Sequence, residues 1–189
     1  PEAIRSTLEL NEYWTAQIEE RRRRPKDDLM TKLVEVEMPG EDGSLQRLGD
    51  DEIRAFFILL ATAGNETVTK LLATAFHELA RNSEQREILV REPRWIPNAV
   101  EETLRFDPPS QYQGRVITRD VALHGRVIPK GARVLLINGA SGRDERRFPD
   151  PDRYDVRREI DMHLGFGYGR HICLGASLAR MESRIGIEE

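Results

Sequence analysis

Cys173 is the single cysteine of a 189-residue chain, and it lies in the run Phe166-Gly167-Tyr168-Gly169-Arg170-His171-Ile172-Cys173-Leu174-Gly175. A helical pattern starts near it. Free backbone N–H groups and the helix dipole at such a start favour a thiolate, the form of cysteine that binds metals and attacks electrophiles. Gly167 and Gly169 let the backbone take positive φ or approach something flat and large, and Gly175 permits close packing in the first turn. Arg170 and His171 put donors beside the thiol. The plain alternative is a buried free cysteine near a turn. A phosphate-cradling loop fails, because Ile172 stands where the third glycine of GxGxxG belongs and no strand precedes it.

Two further groups could carry chemistry. Glu102 and Arg105 are spaced i,i+3, so both charges share one helix face and can pair, although an ordinary surface pair is worth little. Glu66 and Thr67 follow Ala63-Gly64-Asn65 on a long apolar stretch. A buried acid beside a hydroxyl is costly unless something uses it. The alternative there is a threonine bonding back to the carbonyl four residues earlier, with Glu66 reaching solvent.

The elements that must position these residues follow from periodicity. Leu8, Tyr13, Trp14 and Ile18 mark a first helix that ends at Arg21–Arg24 and Pro25, and Asp27 or Asp28 can cap a short helix over Leu29–Val36. Pro39-Gly40 and Asp42-Gly43 mark a turn-rich loop. Asp50 is a plausible N-cap for a helix running to about Arg81. Its centre, residues 55–61, is apolar all round and reads as buried. Gly64 sits just past that centre, where it calls for close approach of another body or a local distortion. Helices follow over Ser83–Arg91 and Pro97–Phe106. Then come short β-like pieces at Arg115–Thr118, Val121–His124, Arg126–Ile128 and Arg133–Ile137, with Pro129-Lys130-Gly131 as a turn. Asn138–Leu164 is polar, proline-rich and without clear periodicity. A last helix begins near Cys173.

Composition sets outer limits. The chain is 39% hydrophobic and 33% charged, with a formal charge of −4. That balance argues against a general nucleic-acid binder. One cysteine excludes an internal disulfide and a Cys-cluster zinc site. No apolar run reaches the roughly 18 residues of a membrane span, and the charged residues 1–20 do not read as a signal peptide. The default expectation is a soluble cytoplasmic protein. A start at Pro1 and a stop at Glu189 in mid-pattern read as an internal piece of a longer chain.

Phe-Gly-x-Gly-x-His-x-Cys-x-Gly resembles the heme-binding loop of the cytochrome P450 family, in its soluble bacterial form. The resemblance implies a mainly α fold with a small β-sheet (α+β), with residues 1–189 forming the C-terminal part of one domain whose N-terminal half is absent. It makes Cys173 the axial thiolate on the iron of heme b. His171 and Arg115 would meet heme propionates, and Phe166, Gly167 and Gly64 would lie against the heme. The family pattern Phe-x-x-Pro-x-Arg-Phe matches Phe148–Tyr154 with Tyr at the end, which implies a buried triad of Glu102, Arg105 and Arg153 locking the irregular stretch. Glu101 is the competing carboxylate, but the motif selects Glu102. Glu66 and Thr67 would handle protons beside the iron, with Val68 standing where a second threonine is common. Leu59, Leu60, Ala63, Val68, Gln111, Tyr112 and Gln113 would line a substrate pocket. His124 and His163 receive no role, and His77 sits on a polar helix face.

The implied activity is a monooxygenase that places one oxygen atom of O2 into a lipophilic substrate. Its partners would be a ferredoxin and a ferredoxin reductase, with no nucleic acid and no membrane span. The alternatives are peroxygenase use of H2O2 and a truncated, non-catalytic heme-binding fragment; the isolated piece is expected to be inactive and to hold heme poorly.

Overall fold

The computed structural model describes residues 2–40 and 42–189, residue 3 by its backbone alone. The chain divides into two compact units, one up to Asn65 and one from Glu66 onward.

The first unit contains α1 (Glu2–Arg23), α2 (Leu29–Glu35), a hairpin of β1 (Glu37–Pro39) and β2 (Leu45–Arg47), and the opening half of α3 (Asp50–Arg81). Asp28 caps α2: its carboxylate accepts from the Thr31 N–H at 2.8 Å and from Arg21 Nε at 2.6 Å. The hairpin replaces the expected plain loop, because residues on both sides of the turn find ladder partners. Gly49, rather than Asp50, is the N-cap of α3. Its carbonyl accepts the first helical bond from Ile53, and Glu52 reaches back to its N–H at 2.8 Å, as in a capping box. Asp50 pairs instead with Arg22. Ile18, Met30, Val34, Ile53 and Phe57 form the core, with Trp14 stacked on Phe57 at 5.0 Å.

The expected all-round burial of residues 55–61 does not hold within this unit. Only one face of α3 meets α1 and α2, and Leu59 stays 59% exposed. Nor does Gly64 interrupt the helix, which runs unbroken from Asp50 to Arg81. A Cβ there would meet no atom within 4 Å among the described residues.

The second unit holds the rest of α3, then α4 (Ser83–Arg91), α5 (Ile96–Phe106), β3 (Gln113–Val116), β4 (Val121–Leu123), β5 (Arg126–Ile128), β6 (Arg133–Leu136), the short α6 (Asn138–Ser141) and α7 (Ala176–Glu188). The strands pair antiparallel as β3–β6, with Arg115 opposite Val134, and as the β4–β5 hairpin. His124 and Gly125 make that turn with φ of 47° and 75°. Positive φ at both central residues matches the twist of the flanking strands, and this is the place His124 occupies. The core joins Leu79, Leu89, Ile96, Ala99, Tyr154 and Val156, and beside it Leu71, Val100 and Leu104.

Candidate active site

The site is built outward from α5. Pro97 suits the first turn of the helix, and Ala99, Val100, Thr103 and Leu104 face the core. The same burial carries Glu102 and Arg105 out of water, at 0% and 1% exposure. Arg105 Nε donates to Glu102 Oε2 at 2.6 Å and Nη2 donates to Oε1 at 2.8 Å, a bidentate fork. Its remaining N–H groups reach the carbonyls of Gly142 at 2.5 Å, Pro151 at 2.9 Å and Arg153 at 3.3 Å. A Cβ on Gly142 would lie 1.8 Å from the Arg105 carbonyl oxygen, so only glycine admits this approach. One ion pair thus ties the irregular stretch to a helix, and that stretch needs no periodicity of its own.

The second guanidinium on Glu102 belongs to Arg158, not Arg153. Arg158 Nε donates to Glu102 Oε1 at 3.3 Å, while its Nη atoms hold the carbonyls of Pro149 (2.5 Å), Asp150 (3.0 Å) and Arg153 (2.8 Å). Arg153 is exposed and contributes its carbonyl. The stretch turns between these residues, so the motif arginine faces outward and the one five residues later folds inward. Arg158→Ala is therefore expected to cost about 2 kcal/mol in denaturant unfolding. Arg153→Ala should stay within about 0.5 kcal/mol; the reverse order would restore Arg153 to the triad.

Tyr154 stands where the motif has Phe, and its hydroxyl finds a partner. Thr103 Oγ1 donates to the Ala99 carbonyl at 2.8 Å, which leaves the Tyr154 hydroxyl to donate to Thr103 at 2.9 Å. Burial pushes the Tyr154 phenol up to about 12.

The cysteine loop is held by its own backbone. Cys173 N–H donates to the Phe166 carbonyl at 2.8 Å, Ile172 N–H to Gly169 at 3.1 Å, and Gly167 N–H to Leu164 at 2.9 Å. Gly167 has φ 78°, and a Cβ there would also stand 2.9 Å from the His171 carbonyl. Helix α7 begins at Ala176, with Gly175 as its N-cap, so Cys173 precedes the first helical residue by three positions. The thiol is exposed, not buried. Tyr168, Ile172 and Leu174 around it are exposed as well, Leu174 to 82%, and so are Arg170 and His171. An exposed soft ligand among apolar side chains, with two donors beside it, fits a large flat apolar group that carries carboxylates, as heme does. No cluster of three or more His, Cys, Asp or Glu side chains able to hold a metal occurs among the described residues.

Other expected site residues are placed as follows. Glu66 is exposed and pairs with Lys70 at 2.7 Å, one helical turn away on α3; the Lys70 hydrogen bond holds its carboxyl below the usual range. It is not the buried acid that the apolar stretch implies, because residues 65–67 of α3 are all exposed. Thr67 and Val68 follow on the same helix. Arg115 is half-buried on β3, with Nη1 bonded to the Gly114 carbonyl at 2.7 Å. Gln111 folds back to Asp107 (2.6 Å) and the Pro108 carbonyl (2.8 Å), and Gln113 bonds Ser110 at 2.6 Å, while Tyr112 is exposed.

Sequence reasoning passed over Glu101, His163 and Arg180. Arg180 donates to Glu101 through Nε at 2.6 Å and Nη2 at 3.0 Å, and His163 Nε2 lies 2.9 Å from Glu101 Oε2. Burial opposes charge on Glu101, but the hydrogen bonds from His163 and Arg180 outweigh it and hold the carboxyl at about 2. The available signal was two adjacent acids on one helix, which must point about 100° apart and so serve different partners.

A family model described as Cytochrome P450 matches residues 4–189. The chain is 44% identical over 188 residues to cytochrome P450 123 of Mycobacterium tuberculosis, covering 99% of this chain and 46% of that protein. It is 38% identical over 172 residues to the steroid C26-monooxygenase of the same organism, covering 91% and 42%. The crystal structure of CYP109E1 from Bacillus megaterium in complex with testosterone superposes with a TM-score of 0.93 at 37% identity, over 99% of this chain and 51% of that one. These matches place the chain in a class of helix-dominated proteins whose family implies heme iron as cofactor. The chain belongs to the cytochrome P450 family, and it spans about half the length of the curated relatives it matches. No helix among the described residues is long and apolar enough to cross a membrane.

Proposed function

We propose that the chain is the heme-binding, C-terminal part of one cytochrome P450 domain, and that the whole protein is a monooxygenase. The observation that carries this is the exposed Cys173 thiol on a loop held by the backbone bonds of Gly167, Ile172 and Cys173. Bound heme b would supply the dioxygen and electron chemistry. Cys173 would hold the iron as thiolate, and Phe166 and Gly167 would support the ring. His171 and Arg115 would pair with its carboxylates. Thr67 would hold a hydrogen bond on the O2 side. Glu66, paired with Lys70, would take part in passing protons. Glu102, Arg105 and Arg158 would keep the loop's scaffold rigid.

Leu59 and Ala63 are exposed on α3, with Leu60 half-buried beside them, and the rest of such a domain would cover them. In the second unit, Val68 and Gln111–Gln113 would line a lipophilic pocket. The steroid named in one relative and the testosterone bound to one solved structure support a lipophilic substrate. A ferredoxin and its reductase would deliver electrons in the cytoplasm.

The test is the ferrous–carbon monoxide spectrum of the full-length protein. A strongly red-shifted thiolate band is expected, and an unshifted band would remove the reading. Product formed with NAD(P)H, ferredoxin and reductase, but not with H2O2 alone, supports the monooxygenase over the peroxygenase.

A further inference from the structure

Glu101 joins three segments that meet at the cysteine loop. It projects from α5, accepts both arms of Arg180 from α7, and contacts His163 ahead of the loop. Gly165 N–H donates to His163 Nδ1 at 3.0 Å. That bond makes Nδ1 the acceptor, so the proton sits on Nε2, which donates to Glu101. Arg180 also lies over the Phe166 ring, 4.6 Å from its centroid. Phe166 in turn supplies the carbonyl that accepts the Cys173 N–H. Both sides of the loop therefore lead back to one carboxylate, by way of His163, Gly165 and Phe166 on one side and Arg180 on the other.

We propose that Glu101 is a positioning residue for Cys173, clamping the loop through His163 and Arg180 so that the thiol backbone keeps one geometry. The proposal rests on the reading of Cys173 as a heme ligand. A carboxylate is required because it accepts from three donors and offers none. An amide of the same shape must turn its NH2 toward either Arg180 or His163 Nε2–H, and one side of the clamp then sets donor against donor.

The experiment compares wild type with Glu101→Gln and Arg180→Lys in the full-length protein, by site-resolved amide hydrogen exchange and the ferrous–carbon monoxide spectrum. Glu101→Gln should speed exchange at the Gly165 and Cys173 amides by about tenfold or more, with Leu71 and Leu104 unchanged, since local opening is separable from global unfolding. Part of the thiolate band should convert to the unshifted thiol form. Arg180→Lys, which keeps the charge but loses the fork, should move both readouts the same way and serves if Glu101→Gln does not fold. Glu92→Gln, whose partners are Arg94 and Arg157, should move neither. Loop amides at wild-type rates with the band intact overturn the proposal, and so does equal acceleration at Leu104. A wild type without the shifted band refutes the ligand reading instead, and the exchange rates still decide the clamp.

Discussion

Cys173→Ser in the full-length protein is expected to abolish the red-shifted ferrous–carbon monoxide band completely while leaving the stability of the heme-free protein nearly unchanged. The two expectations have separate origins. The band requires a thiolate, and a serine hydroxyl remains neutral and a poor donor to iron at neutral pH, so no partial signal should survive. Without heme, stability should move by no more than about 0.5 kcal/mol, because the thiol is exposed and its substitution removes no core contact. The loop's own bonds, Cys173 N–H to Phe166 and Ile172 N–H to Gly169, are backbone and do not depend on the side chain. Unfolding by denaturant next to the optical spectrum separates the two effects. A retained red-shifted band would remove Cys173 as ligand; a large loss of stability would mean that the thiol is part of the fold.

Glu102→Gln is expected to destabilise the protein by about 3–5 kcal/mol, the cost of leaving buried charge without its counter-ion. Both Arg105 and Arg158 bond to this carboxylate, and the Asp155 N–H donates to it at 2.8 Å. The amide keeps the shape and removes the charge from between two guanidinium groups. Denaturant unfolding checks the magnitude; a loss below about 1 kcal/mol would mean that water reaches the pair and screens it. The effect should spread along the chain, because Arg105 also anchors Gly142 and Pro151. Arg105 further lies over the Phe106 and Phe148 rings, at 5.5 and 5.3 Å. Phe148 of the motif thereby has a task beyond filling space.

The contrast between Glu102 and Arg153 shows where one-dimensional reading stops. An i,i+3 pair on a regular helix is fixed by helix geometry alone, so Glu102 and Arg105 were legible as partners before any fold was known. Arg153 and Arg158 lie in a stretch without a repeat, where spacing says nothing about direction. Which of them turns inward depends on the path of the backbone past Gly142 and Pro151. Glu101 is set aside in the sequence because the family motif selects Glu102. Its partners His163 and Arg180 are far away in sequence, and nothing local joins them.

What the sequence by itself determined were the helices with strong periodicity, the four short strands after α5, and an aspartate cap ahead of α2. All rest on interactions within a few residues. Only the tertiary structure decided that Arg158 rather than Arg153 turns inward, and that Glu101 meets His163 and Arg180. Each of these turns on which distant groups remain within reach of water and which have lost it, and burial is a property of the packed chain that no short window of residues contains.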